Sequence, residues 1–369
     1  MGIAGHENGL TGGQWARGGQ HMEMDLNLVW QDFGLDRLQE GILRLFPERR
    51  LNLEELLGEV MTGDVFGALA ALFRDSITDF FTQLAGMRNV FVWLLVLGIV
   101  SSLMTHFVEI FNRRQVADMG FYFMYLLFTA VLLKCFTQAA DIARQTVENI
   151  ILFVKLLVPA YLLTVGISTG SATAGAAYQM MLFAVYGVEY ILVKGLLPFI
   201  GSYSMLTVVN GIWAEEKLSP LIDLLGKAVG WVLKGALGAV TGISIFQRLI
   251  APVLDSARNS ALQRLISAIP GVGAAAGGVV EMVVGSATVI RNSVGLVLLI
   301  LLLLLCAVPV LKIAMIAVLL KCAAAFMGIV SDRRITACVN RIGDAAMLLL
   351  RTTGTAMLLF LVAIAVAAL

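Results

Sequence analysis

The sequence predicts an all-α, polytopic helical membrane protein with a small amphipathic helical domain at its N-terminal side. Three observations carry that prediction. The chain is 59% hydrophobic and 14% charged, where soluble domains average roughly 45–50% apolar and about 25% charged. Stretches such as 119–133, 156–188, 294–311 and 352–369 contain no charged side chain. Before residue 89 the pattern is different, with apolar residues recurring at helical spacing among many charges.

Residues 1–24, MGIAGHENGLTGGQWARGGQHMEM, are rich in Gly and Gln and lack the apolar core of a secretory signal. They read as a disordered or expression-derived leader outside the fold. Residues 25–88 read as an amphipathic helical domain with 11 acidic and 6 basic residues, a net of −5. In LDRLQEGILRLF, the residues Leu35, Leu38, Ile42, Leu43 and Phe46 share a helical face, and Pro47 ends the run. Asp75–Arg88 repeats the pattern with Ile77, Phe80, Phe81 and Leu84. None of these segments is apolar enough to cross a bilayer, so they pack together or lie on its surface.

Residues 89–369 form the transmembrane domain. About 20 mostly apolar residues cover the hydrocarbon, which places segments at 90–110, 119–137, 150–168, 176–203, 225–247, 272–290, 295–326 and 345–369. The expected number of spans is eight, within a range of seven to nine, because the stretches holding Pro198 and Pro309 are each one bent helix or a tight pair. Lys and Arg favour cytoplasmic loops. Arg113 and Arg114, then Arg248, Arg258 and Arg264, then Arg333, Arg334 and Arg341 follow or precede alternate spans. Glu215, Glu216 and Asp223 fall between them. That alternation predicts both termini outside and an extracytoplasmic N-terminal domain.

Within the spans, Gly226, Gly230, Gly238 and Gly242 recur at four-residue multiples, with Lys234 in register. This side-chain-free stripe suits close helix packing, within the protomer or between subunits. Charges at membrane depth are costly and face a partner or a wet cavity. Glu189 in VYGVEYIL and Glu281 in GVVEMVVG are the leading pathway candidates, followed by Lys234, Arg291 and Lys312. Asp255 and Arg258 stand three apart in LIAPVLDSARN, a spacing that permits a loop ion pair. A Gly-rich re-entrant hairpin over 250–290 is the alternative reading of that region.

Enzymatic chemistry finds little footing. There are three histidines, and HExxH, GxSxG and P-loop patterns do not occur. Cys135, Cys306, Cys322 and Cys338 lie in or beside apolar runs without metal-ligand spacing and read as small buried hydrophobes. No cofactor is expected, and a net charge of +1 suggests no nucleic-acid partner.

Four strings in order, TVENIILFVKLLVPAYL, LIAPVLDSARN with AIPGVG, VIRNSVGLVLLILLLLLCAVPVLKIAMIAVL and SDRRITACVNRIGDAAMLLL, carry a resemblance to the stage III sporulation protein AE family of endospore-forming bacteria. The resemblance runs from about residue 50 to the C-terminus. It implies a permease-like, non-catalytic component of a secretion-like channel joining mother cell and forespore. It also implies partners: an ATPase, smaller stage III membrane subunits and ring-forming subunits, with a homo-oligomer allowed. The implied location is the mother-cell-derived outer forespore membrane. Family members usually open with a signal sequence, which residues 1–24 do not resemble, so the outside N-terminus rests on loop charges alone. A stand-alone secondary transporter using Glu189 or Glu281 is the competing expectation. It calls for polar residues converging on broken helices.

Overall fold

The structure, a computed structural model, describes residues 39–41, 43, 91–100, 102–103, 114–169, 187, 190–212, 217–267 and 273–368. Among these residues there is no strand. The helices are α1 (Phe91–Val100), α2 (Arg114–Thr169), α3 (Leu197–Ile212), α4 (Ser219–Ser267), α5 (Gly273–Val330) and α6 (Arg333–Ala368). A π-helical segment, Tyr190–Leu196, runs directly into α3. Five helical stretches are long and apolar enough to cross a membrane: Met119–Leu156, Tyr190–Ile212, Ser219–Gly242, Ser293–Ile329 and Arg333–Val362. The protein is thus an all-α membrane protein. The leader and nearly all of 25–88 lie outside the described residues; Gln39–Gly41 and Leu43 are helical.

Two boundaries drawn from the sequence are absent. Segments 119–137 and 150–168 fall in one continuous helix, α2, and segments 272–290 and 295–326 fall in another, α5. In α2 the intervening charges Asp141, Arg144 and Glu148 occupy one exposed face while Ala139, Ala143, Val147 and Ile150 are buried opposite them. A helix need not end at charges that its buried face can outweigh. At about 1.5 Å per residue, the 56 and 58 residues of α2 and α5 exceed a single ~30 Å crossing. α5 also continues through Pro309. At Pro198 the chain solves the same problem differently. The ring lacks an N–H and crowds the carbonyl four residues back, and the wider π geometry of 190–196 accommodates both.

Three chain segments share one end of the bundle: the start of α2, the α3–α4 turn and the α5–α6 turn. Tyr125 on α2 donates its hydroxyl to the Val208 carbonyl on α3 at 2.7 Å and lies 3.4 Å from Cys338 Sγ on α6. The Arg334 guanidinium stacks over the Phe121 ring, 3.7 Å from its centroid. Asn210, 2% exposed, closes the α3–α4 turn by accepting from the Leu218 N–H (2.8 Å) and donating to Ser219 Oγ (3.1 Å). Pro220 then stands in the first turn of α4, where its missing donor costs nothing. At the other turn Asp332 caps α6, its carboxylate accepting from the Arg334 N–H at 2.8 Å.

This arrangement corrects the loop-charge reading. Asp223 and Arg341, assigned to opposite membrane faces from the sequence, meet at the shared end. Arg248, Arg258 and Arg264, assigned to the same face as Arg333 and Arg334, fall far along α4 from that end. Loop alternation presumes that every helix starts and stops at the bilayer surface, and helices of 49 to 58 residues do not.

The α5–α6 hairpin forms the centre of the fold. α6 packs against α2, α3, α4 and α5, and its Ile342, Ala345, Ala346, Leu349 and Ala356 are fully buried. α4 lies at the edge, packed on α3 and α6 through Ile222, Val229 and Leu233, with 11% of its apolar window buried.

Candidate functional site

Beside that seam, α4 and α6 enclose a groove of about 470 Å³. The two helices run in the same direction, since both start at the shared end, where Asp223 meets Arg341, and continue side by side along the groove that both line. From α4 the groove receives Asp223, Lys227 and Lys234, which lie on one flank of the helix at helical spacing. Gly226 and Gly230 leave its floor free of side chains. From α6 it receives Asp344, Met347 and Arg351, again three to four residues apart. Tyr203 of α3 closes one side.

The charges divide along its length. At the shared end, Arg341 donates to Asp223 Oδ1 at 3.0 Å and to Ser219 Oγ at 3.1 Å. Lys321 of α5 crosses to Asp344 Oδ1 (2.7 Å) and Asn340 Oδ1 (2.7 Å). Gly343 leaves room beside that crossing, since a Cβ there would lie 3.3 Å from the Lys321 methylenes and they would have to shift slightly. Further along, Lys227, Lys234 and Arg351 form no ion pair among the described residues. The groove therefore holds two neutralised acids at one end and three uncompensated cations along its length. Such a site favours an anionic group, a carboxylate or a phosphate, over a neutral or cationic one.

Of the sequence-predicted residues, Lys234 lines this groove, as do Gly226 and Gly230. A Cβ at Gly226 would lie 3.5 Å from the Tyr203 ring, whereas one at Gly230, Gly238 or Gly242 would meet no described atom within 4 Å. Beyond Gly226 the stripe is thus not a packing seam within the described protomer. Lys312 is half-buried on α5 and is not part of the groove. Glu189 lies outside the described residues. Glu281 and Arg291 belong to the continuous helix α5, and Asp255 and Arg258 to the helix α4 rather than to a loop; their side chains are outside the described set. Cys135, Cys306 and Cys338 are buried as expected, but Cys322 is exposed. Among the described residues no group of His, Cys, Asp and Glu could hold a metal.

Arg351, Asp344 and Asp223 were missed as site residues. Arg351 borders an uncharged run, Asp223 reads as a loop acid, and Asp344 directly precedes segment 345–369; only the packing of α4 on α6 brings them together.

Residues 51–369 match the stage III sporulation protein AE family. The chain belongs to that family. A curated relative, "Stage III sporulation protein AE" of Bacillus subtilis (strain 168), is 20% identical over 274 residues, which is 74% of this chain and 69% of the relative. No solved structure matches the chain. Membership in the stage III sporulation protein AE family gives the protein a role in sporulation, and its helices make it an integral membrane protein. The matched region contains every helix from α1 to α6 and the whole groove.

Proposed function

We propose that the protein is the permease-like, non-catalytic membrane component of a secretion-like channel complex joining mother cell and forespore, required for forespore development. The observation that carries this reading is the family match over 51–369. In this reading the protein lies in the outer forespore membrane and assembles with smaller stage III membrane subunits, ring-forming subunits and an ATPase. The shared end, with Lys217, Lys321, Arg333, Arg334 and Arg341, faces the cytoplasm, because basic residues dominate that choice and acids contribute little. Segment 25–88, with its net charge of −5, is then the surface offered to ring subunits in the intermembrane space. The cationic groove supplies a second contact, receiving a partner's acidic group at membrane depth.

In-cell crosslinking with mass spectrometry during engulfment tests the reading. Recovery of ring and small membrane subunits is expected. Recovery of the protein alone would overturn it in favour of a stand-alone transporter. Charge reversal of several acids within 25–79 should weaken ring recruitment; unchanged recruitment would remove the role given to that segment.

A further inference from the structure

A second polar feature lies on α2, outside the groove. Between Lys134 and Asn149 every exposed residue is polar. Lys134, Gln138, Asp141, Gln145 and Glu148 follow one another at intervals of three and four, so they form a single helical face. The opposite face is sealed in the core by Ala139, Ala143, Val147 and Ile150, all fully buried. The α2 face is therefore fixed outward by packing, and rotating the helix to hide its charges would expose that core.

Its depth follows from the contacts at the shared end. Tyr125 lies against Cys338 at an offset of 213 positions, and Phe121 lies under Arg334 at the same offset. Carried along both helices, the offset puts Lys134–Asn149 level with Met347–Val362 of α6, within the Arg333–Val362 span. Measured from Arg341, which is level with Phe128 of α2, a roughly 30 Å hydrocarbon layer reaches about residue 148 and so takes in nearly all of the polar stretch. Nearer the shared end, α2 exposes the apolar Met119, Phe123 and Leu126, level with Asp332–Val339 of α6. The change from apolar to wholly polar thus happens on one helix, inside its apolar window Met119–Leu156.

Lipid does not solvate such a face, since charges at membrane depth turn to a partner or to water. The charges alternate in sign from Lys134 and Asp141 to Arg144 and Glu148, giving no net charge with which to select an oppositely charged partner helix. Arg144 and Glu148 already pair with each other at 2.9 Å while their side chains stay 66% and 49% exposed. A face that is neutral in sum, carries one ion pair of its own and is rich in amides matches water. We propose that the Lys134–Asn149 face of α2 is one wall of a water-filled passage through the membrane. The inference takes its biological setting from the channel reading, though its physical basis is independent of it.

Substituted-cysteine accessibility tests it. In a full-length Cys322→Ser background, which removes the exposed native thiol, single cysteines are placed at Gln138, Asp141 and Gln145. Apolar, exposed controls are placed at Val318 and Leu358, which are 55% and 50% exposed, Leu358 being level with Gln145. A charged, membrane-impermeant methanethiosulfonate reagent is applied to protoplasts and to inverted vesicles from cells carrying the complete sporulation set. The reaction needs a thiolate, hence water, so the α2 positions should react at least tenfold faster than Val318→Cys and Leu358→Cys. Rates equal to those controls would overturn the proposal. Reaction in the protein expressed alone but protection in the complete set would also overturn it, revealing a dry protein contact. Three separate positions keep the result independent of one misfolded variant. Fast reaction with no partners recovered by crosslinking would leave the wet wall standing and remove the channel complex, so the two readings fail separately.

Discussion

Arg341 and Asp223 are 118 positions apart and meet at 3.0 Å, tying the first turns of α4 to α6 at the end where the α3–α4 and α5–α6 turns converge. Arg341 is mostly covered and also holds Ser219, whereas Asp223 remains 60% exposed. The contact works as a positional pin rather than as a large source of stability.

Replacing Asp223 with Ala should therefore cost no more than about 1 kcal/mol, the range of exposed ion pairs. Arg341→Ala should cost more, because Ser219 loses one of its two donors as well. Chemical denaturation in detergent would measure both. The exchanged pair Asp223→Arg with Arg341→Asp should recover part of the loss; no recovery would show that the pair does not set the helix register.

Gly211 and Tyr125 form a tighter constraint. A Cβ at Gly211 would lie 2.9 Å from Cζ of Tyr125 and closer still to its hydroxyl, which is bonded to Val208. Gly211→Ala should destabilise the bundle by about 1–3 kcal/mol through overpacking. Tyr125→Phe should cost about 1 kcal/mol for the lost hydrogen bond. Because the residues touch, the double variant should cost less than the sum of the two. Strict additivity in the same denaturation series would contradict the contact.

Asp332 caps α6 through the Arg334 N–H. Asp332→Ala should cost about 1 kcal/mol, and Asp332→Asn much less because the amide oxygen still caps. A thermal shift assay on the two variants separates capping from charge, since Asn also removes the Asp332–Arg334 pair at 3.5 Å.

The groove cations should trade stability against function. Lys234→Leu and Arg351→Leu remove uncompensated charges from membrane spans, a change worth about 2.5–3.5 kcal/mol per residue on insertion scales at a helix centre. Protein levels in membrane fractions should hold or rise. Spore yield should fall if the groove receives an anionic partner, and yield equal to the parent's would remove the groove from the mechanism.

Composition and apolar run length settled the membrane class, and four strings in order settled the family, because both properties depend on residue types along the chain. Capping at Asp332 and the start of α4 at Ser219–Pro220 are also local chemistry. The sequence misjudged where helices end in α2 and α5, since charges such as Asp141 and Arg291 look like the ends of segments until the burial of the opposite face or the length of the helix is known. It singled out Lys234 by its glycine register but could not place Arg351 or Asp344 beside it. That meeting depends on α4 and α6 running side by side in the same direction, which only their packing decides. The polar face of α2 was written in the sequence as a three-to-four repeat. Its outward direction and its depth came from Tyr125, Phe121 and the buried alanines that fix the helix against its neighbours.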